Sequence, residues 1–223
     1  MINKSESPAP ASKSVLRRYA EACGKVGLLE ISHETEIPIG FGLGMSAAGA
    51  LSLSLVLNEL LGAGFSRNEC VKIAHDADVE CGTGLSGVDA AAIGGILARR
   101  SIGEKPFSLP FEEKELEIAF FLPIRTSSII HEESWRKKVN EAGGAALEML
   151  FKKKSWDAFI DASRHFVTES GLGNWCGGEM QNNQRASMAM VGQTLFSDSP
   201  LRLSRTPVKL LKAKTTEAGA VLL

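Results

Sequence analysis

Three glycines at alternate positions, Gly40, Gly42 and Gly44, precede a stretch of small and aliphatic residues over 47–61. That stretch contains good helix formers, lacks proline and is followed by Gly62, so it predicts a helix that begins just after the glycines. Glycine allows a ligand to approach the main chain closely. Because the N–H groups and the dipole of a helix N-terminus favour an anion, the pattern predicts a phosphate-binding loop.

Two common kinds of phosphate loop do not fit this stretch. A Walker A loop has a lysine beside its last glycine, and this chain has no lysine between Lys25 and Lys72. A dinucleotide fold places its glycines directly after a buried strand. Here Pro38 and the polar run 33–36 occupy the position where that strand would end. The remaining pattern is Pro-x-x-x-Gly-Leu-Gly-x-Ser-Ala-Ala over 38–48.

Acidic residues flank a second glycine-rich turn at 82–87. Phosphoryl transfer requires alignment and charge neutralisation more than covalent help, so a loop without lysine must recruit Mg²⁺. Mg²⁺ prefers oxygen ligands, and Ser46, Asp78 and Glu80 are the candidates. A carboxylate of the cluster that Asp78, Glu80 and Asp89 form in the sequence could also orient the attacking hydroxyl or accept its proton.

A histidine and two arginines are candidates for substrate contact. His75 lies on the same predicted helix as Asp78, where it could equally be a surface residue. Arg99 and Arg100 follow the glycine pair 94–95 in a predicted strand. Adjacent side chains of a strand point to opposite faces, so one arginine should be solvated while the other could hold a substrate carboxylate. No serine-based triad is indicated, because Ser46 has no His and Asp partners at recognisable spacing.

The predicted elements alternate irregularly, which indicates an α+β fold rather than repeated βαβ units. Residues 1–14 are rich in Ser, Pro, Lys and Ala and are predicted to be disordered. Apolar spacing predicts helices at 15–23, 47–61, 67–79, 89–93, 129–140, 145–151 and 156–169, and strands at 26–31, 94–100, 117–122 and 208–214. Residues 186–196 suit a buried strand or a packed loop.

The composition excludes several classes of protein. A net charge of −1 provides no basic field for nucleic acid. The four cysteines show no CxxC or Cys/His pairing, which indicates a reducing compartment and no zinc site. The apolar run is shorter than a membrane span, and the first residues lack the apolar core of a signal peptide. A soluble cytoplasmic protein without a membrane partner is therefore predicted.

The stretch 38–48 resembles the ATP-binding motif of the GHMP kinases, which include galactokinase, homoserine kinase and mevalonate kinase. Residues 74–85, 94–99, 159–172 and 186–196 look like the archaeal pantoate kinases, a branch of that family. The resemblance implies the two-layer fold of the family, with an ATP-binding lobe like domain 2 of ribosomal protein S5 over 15–110 and a second lobe over 111–223. It also implies a possible homodimer.

By this resemblance the chain phosphorylates the hydroxyl of pantoate to 4-phosphopantoate, a step towards coenzyme A in archaea, with ATP and Mg²⁺. Ser46 and Asp78 would serve Mg²⁺ and phosphate, while His75 and Arg99 would contact pantoate, Arg99 through the pantoate carboxylate. The residues implied to bind ATP are Pro38, Gly40, Gly42, Leu43, Gly44, Met45, Ser46, Ala47 and Ala48.

The chain departs from the family pattern in two places. An aspartate of the pattern, seven residues before the glycine pair, falls at Gly87. The nearest aspartate is Asp89, and 86–89 looks like the Ser-Gly-x-Asp of mevalonate-type kinases, so Asp89 is the expected catalytic residue together with Asp78. The second departure is that nothing before Ile37 resembles the first motif of the family, and the chain is expected to lack the N-terminal part of the fold.

Two alternatives remain open at this point. The same fold could act on a mevalonate-like or homoserine-like alcohol, because an arginine would suit any carboxylated acceptor. The chain could instead be a degenerate paralogue that holds ATP without turnover.

If strands of the fold are missing, an exposed sheet edge and an incomplete acceptor pocket follow. We therefore expect the isolated chain to be poorly stable or weakly active. A cooperative thermal unfolding transition at high temperature would contradict this expectation.

Overall fold

The computed structural model describes residues 1–24, 26–84, 86–101, 104–124 and 133–223. Its elements, in chain order, are α1 (Pro10–Cys23), α2 (Met45–Leu61), α3 (Arg67–Glu80), α4 (Gly87–Ile93), β1 (Leu97–Ala98), β2 (Phe107–Ser108), β3 (Glu115–Leu122), α5 (Glu133–Lys153), α6 (Trp156–Glu169), α7 (Gly173–Asn182), β4 (Ala186–Met188), β5 (Gln193–Ser197) and β6 (Lys209–Lys214). This mixture confirms the α+β class. Among the residues described, no helix is long and apolar enough to cross a membrane.

The chain forms two compact units. The first comprises 1–39, 44–94 and 218–223 and is called the helical unit, since it holds α1 to α4. The second comprises 40–43 and 95–217 and is called the sheet unit, since it holds all the described strands. The division falls at 94/95 and not at the expected 110, because Leu109 is buried in one cluster with Ala98 and Leu150.

The helical unit is built around α2, which packs against α1, α3 and α4. Its small and aliphatic residues provide apolar contacts on several sides, and Leu51 and Leu57 are fully buried. Tyr19 from α1 is also fully buried, and its hydroxyl donates to the carbonyl oxygen of Ser54 (2.7 Å). A capping box formed by Ser66 and Glu69 begins α3. These contacts pack α1, α2 and α3 together in one compact unit.

The sheet unit contains a two-stranded sheet of β1 and β2 and a four-stranded antiparallel sheet in the order β4-β5-β3-β6, against which helices pack. The central strand β3 places Ala119 opposite Leu195 of β5 and Leu210 of β6. Ala119 and Leu195 are fully buried in a cluster that includes Val167 of α6 and Cys176 of α7. The alternation of the strand residues therefore positions one apolar face against the helices.

The N-terminal residues differ from the expected disorder over 1–14. Helix α1 begins at Pro10, where the fixed φ of proline suits the first helical turn. Ala11 and Ser14 are buried against the helical unit. Further upstream, the N–H of Asn3 donates to the carbonyl oxygen of His33 (2.8 Å). Packing and main-chain hydrogen bonds thus overcome a composition that is typical of disorder.

Several predicted boundaries also shift. Residues 26–31 form no strand in the described part of the chain, and the predicted strand 94–100 shrinks to Leu97–Ala98. The helices expected at 129–140 and 145–151 are a single helix, Glu133–Lys153, because the buried face formed by Ala142, Ala146 and Leu150 continues across Gly143 and Gly144. Residues 129–132 lie outside the described residues. Helix α7, rich in glycine, was not predicted.

Residues 40–43 pack against β3 and the segment around Gly192 within the sheet unit. The Phe41 ring meets Phe120 edge-on, with centroids 5.5 Å apart, and the carbonyl oxygen of Gly40 accepts a hydrogen bond from the N–H of Ile124 (2.8 Å). Gly192 lies so close to the main chain of Phe41 that a β-carbon there would overlap it. Position 192 must therefore be glycine for this path of the loop.

We predict that Gly192→Ala lowers the free energy of unfolding by about 1–3 kcal/mol, because the added methyl group has no space beside Phe41. The measurement is urea unfolding followed by circular dichroism. Gly178→Ala is the matched control, since Gly178 lies in α7 with no atom within 4 Å of the added carbon. In a helix this control should stabilise by about 0.5–1 kcal/mol. Equal effects of the two substitutions would contradict the close approach.

Candidate active site

The glycine loop 40–44 leads into the N-terminus of α2, as the sequence predicts. Gly40, Gly42 and Gly44 all have positive φ, at 85°, 80° and 67°. Left-handed backbone at alternate residues explains the glycine pattern, since L side chains rarely adopt it. Gly44 is the N-cap of α2 and supplies no side-chain cap, and no acidic residue lies in the first turn. The first N–H groups of α2, which the helix itself leaves without partners, therefore suit an anion.

The other loop residues lie around this turn with different exposure. Gly40 and Gly44 are exposed, whereas Ala47 is buried in the core of the helical unit. The half-buried members of the predicted ATP-binding set are Pro38, Gly42, Leu43, Met45, Ser46 and Ala48. At Gly42 a β-carbon would lie 2.8 Å from the carbonyl oxygen of Ala189. The residues 186–196 thus contact the glycine loop directly, within the sheet unit.

Three side-chain oxygens meet beside the first turn of α2. The hydroxyl of Ser46 donates to Oδ1 of Asp78 (2.8 Å), and the hydroxyl of Thr83 donates to the same oxygen (2.6 Å). The two hydroxyl oxygens are 2.9 Å apart. Asp78 is only 2% exposed, so these hydroxyls replace the water that its carboxylate lost on folding. Ser46 and Asp78 are thereby brought together as predicted.

The second glycine-rich turn, at 82–87, also contacts Asp78. The N–H of Thr83 donates to the carbonyl oxygen of Asp78 (3.1 Å), which turns the chain back over the end of α3. A β-carbon at Gly84 would overlap Oδ2 of Asp78. Thr83 and Gly84 are the site residues that the sequence reasoning missed. The only available signal was the position of Thr83 inside a glycine turn next to an acidic helix end.

Asp89 lies in the first turn of α4, in the same unit as Ser46 and Asp78. Helix α4 begins at Gly87, where a β-carbon would lie 2.9 Å from the β-carbon of Ala47, the residue that follows Ser46. The starts of α4 and α2 are therefore in contact. An aspartate at position 87 would force one of the two helices to move, and Asp89 is the aspartate that this backbone accommodates.

Glu80 is not part of the oxygen cluster, which corrects its prediction as a metal ligand. Its carboxylate accepts hydrogen bonds from Ser14 (2.8 Å), Arg17 (2.8 Å) and Arg18 (2.9 Å). The hydrogen bond from Ser14, followed by that from Arg18, lowers the pKa of Glu80. Residues two apart on a helix do not share a face, so Asp78 and Glu80 point in different directions. In the described ranges no group of three His, Cys, Asp or Glu residues could hold a metal.

The predicted substrate contacts lie on separate elements. His75 is half-buried on α3, one turn before Asp78. Arg99 is half-buried directly after β1, in the sheet unit. Arg100 is the solvated member of the arginine pair, because it binds Glu148 (2.8 Å) and covers the ring of Phe151 (4.5 Å) on the surface. The roles of His75 and Arg99 in binding a substrate stay predictions.

The chain is similar in sequence to proteins of known activity. Residues 11–95 match the family model described as the GHMP kinases N terminal domain. A pantoate kinase of Methanocaldococcus jannaschii is 32% identical over 82% of this chain and 69% of its own length. Pantoate kinases of Methanospirillum hungatei and Thermococcus kodakarensis are each 28% identical, over 61% and 77% of this chain. The chain spans less than two thirds of those two relatives, 46% and 60%.

Several solved structures have a fold similar to that of this chain. A phosphotransferase related to the CoA biosynthesis pathway superposes with a TM-score of 0.76 at 24% identity, over 88% of this chain and 68% of the other. Homoserine kinase from Cytophaga hutchinsonii superposes with a TM-score of 0.55 at 16% identity, over 87% and 68%. At these identities the structures establish the fold alone.

The close packing of Gly84 on the Asp78 carboxylate is testable by a double-mutant cycle. We expect Gly84→Ala to destabilise the protein by about 1–3 kcal/mol, because the methyl group displaces a buried carboxylate. In the Asp78→Ala background the same change should cost much less, giving a coupling energy of about 0.5–3 kcal/mol. The measurement is the free energy of unfolding of all four proteins in urea. Additive effects would show that Gly84 and Asp78 are not in contact.

Proposed function

Because the chain belongs to the GHMP kinases, we propose that it transfers the γ-phosphoryl group of ATP to the hydroxyl of pantoate, giving 4-phosphopantoate in coenzyme A biosynthesis. One observation carries the kinase part of this proposal. A buried carboxylate, Asp78, is joined to the hydroxyl of Ser46 on the first turn of a helix that follows a glycine loop. Such a site offers N–H donors to phosphate and oxygen ligands to a cation.

The proposed roles follow from the chemistry of each group. Main-chain N–H groups from Gly44 to Ala47 would hold the phosphates of ATP, and Gly44 has no side chain that would block their approach. Ser46 and Asp78 would hold Mg²⁺. When bound, Mg²⁺ neutralises phosphate charge. The oxygen set fits this ion, because hydroxyl and carboxylate oxygens are the ligands that Mg²⁺ prefers.

In the proposed reaction the pantoate hydroxyl oxygen forms a bond to the γ-phosphorus of ATP. The bond from that phosphorus to the β,γ-bridging oxygen breaks, and ADP leaves with the bridging oxygen. The carboxylate of Asp89 would orient the hydroxyl and take up its proton. Support for Asp89 comes from the contact between Gly87 and Ala47, which brings the first turns of α4 and α2 together.

Support for pantoate as the acceptor comes from the similarity to pantoate kinases of three archaea. Arg99 would pair with the pantoate carboxylate through its planar guanidinium, and His75 would be a further contact. Mevalonate kinases of Pyrococcus horikoshii and Pyrococcus furiosus match over shorter parts of this chain, 45% and 41%. A cytoplasmic location and a homodimer stay predictions.

The acceptor is tested by ADP release from ATP and Mg²⁺ in the presence of D-pantoate, mevalonate or homoserine. We expect release above the acceptor-free rate with D-pantoate alone. Release with mevalonate or homoserine instead would overturn the proposed acceptor and retain the kinase. Binding of ATP without release in any of the three would overturn the kinase and favour the non-catalytic paralogue.

The role of Asp89 is tested by Asp89→Asn, which keeps the shape of the side chain and removes its charge. We expect the kcat for pantoate to fall by about 10²–10⁴-fold, because the substituted amide is no base. Asp161→Asn, an equivalent change at an exposed position of α6, is the control and should leave kcat unchanged. If Asp89→Asn keeps nearly wild-type turnover, the catalytic role belongs to another residue.

A further inference from the structure

We propose that Thr83 is a metal ligand, the third protein oxygen of a cation site whose other members are Ser46 and Asp78. The proposal deepens the proposed function, on which it rests. Neither the glycine loop nor the acidic residues of the sequence pointed to Thr83, which lies within the second glycine turn. Its assignment comes from the three-dimensional arrangement of the oxygens.

The three oxygens form a nearly equilateral triangle. Its sides are 2.6 Å from Thr83 Oγ1 to Asp78 Oδ1, 2.8 Å from Ser46 Oγ to Asp78 Oδ1, and 2.9 Å between the two hydroxyls. In an octahedral Mg²⁺ site with bonds of about 2.1 Å, neighbouring ligands at right angles are about 3.0 Å apart. The triangle therefore matches one face of an octahedron after a small expansion.

Hydrogen bonding alone does not satisfy this triangle. Each hydroxyl carries one proton, and an ionised carboxylate carries none. Only two protons are therefore available for hydrogen bonds between the three pairs of oxygens. The Ser46 hydroxyl can donate to Oδ1 of Asp78 (2.8 Å) or to Oγ1 of Thr83 (2.9 Å), and the Thr83 hydroxyl can donate to Oδ1 (2.6 Å) or to the main-chain carbonyl oxygen of Asp78 (3.1 Å). Each hydroxyl therefore has one proton for two acceptors, and at least one edge of the triangle holds no proton. Such a concentration of lone pairs in a buried setting is relieved by a cation.

Main-chain contacts also fix the members of the triangle. The N–H of Thr83 is fixed on the carbonyl oxygen of Asp78 (3.1 Å), and Gly84 closes the space beside Oδ2. Ser46 belongs to the first turn of α2, whose N–H groups would hold the phosphates. The protein oxygens would then occupy one face of the cation, leaving the opposite face for phosphate oxygens and water. A preorganised half-site of this kind suits a metal–nucleotide complex.

The test uses Mn²⁺, which prefers the same octahedral oxygen ligands, together with ADP. Thr83→Val removes the hydroxyl at constant shape, and Thr83→Ser retains it. We expect Thr83→Val to weaken Mn²⁺ binding, measured by electron paramagnetic resonance, by about tenfold or more. Thr83→Ser should remain close to the wild type. Thr168→Val, an exposed position in α6, is the control.

A second measurement distinguishes direct coordination of the metal by Thr83 from a role in which Thr83 only positions Asp78. Pulsed electron paramagnetic resonance in D₂O counts the water molecules bound to Mn²⁺. If Thr83 is a ligand, Mn²⁺ bound to Thr83→Val should carry one more water molecule than Mn²⁺ bound to the wild type. The melting temperature of the variant, measured without metal, shows whether the variant is folded. Weaker binding with an unchanged water count would overturn the ligand role, and so would unchanged binding.

If the prediction for Thr83→Val fails, the variants Asp78→Asn and Ser46→Ala show whether only the assignment of Thr83 is wrong or the whole cation site is wrong. If these two variants lose Mn²⁺ affinity while Thr83→Val does not, the assignment of Thr83 is overturned and the proposed kinase site stands. If neither variant weakens binding, or the wild type binds no Mn²⁺ with ADP, both the metal site and the assignment of Thr83 are overturned.

Discussion

The burial of one carboxylate, that of Asp78, is the constraint on which the packing between the start of α2 and the end of α3 depends. A carboxylate that is 2% exposed loses nearly all of its hydration, and this loss must be offset by hydrogen bonds or by a cation. Ser46 and Thr83 provide the hydrogen bonds, one from the start of α2 and the other from the turn after α3. The carboxylate thus ties together the elements that the proposed chemistry requires.

Glycines are required at several positions of the two units for two separate reasons. The loop 40–44 uses positive φ at each glycine, while Gly192 and Gly84 are needed because a neighbour occupies the space of a side chain. These are different physical reasons for the same residue type. The first is visible in the spacing of a sequence pattern. The second depends on how the chain folds, on the turn after α3 for Gly84 and on a segment about 150 residues away in the sequence for Gly192.

The fate of Glu80 shows how a cluster of acids in sequence differs from a cluster in space. Asp78 and Glu80 are two residues apart, and a helix directs them to different sides. One side meets the hydroxyls of Ser46 and Thr83, and the other meets Arg17 and Arg18 of α1. Two carboxylates that are close in the sequence therefore have different partners: Asp78 lies in the proposed cation site, and Glu80 pairs with arginines of α1.

Local chemistry determined what the sequence could predict: the glycine loop, the start of α2 at its end, the α+β class, the helix at 156–169, and Ser46 with an acidic group nearby as candidate cation ligands. Each follows from propensity, from spacing or from the ligand preferences of a phosphate and a cation. Tertiary packing decided that residues 1–14 are structured, that α5 is a single helix, that Glu80 points towards α1, and that Thr83 lies beside Ser46 and Asp78. These depend on contacts between segments far apart in the chain, where burial and hydrogen-bond partners outweigh the local preference of the residues.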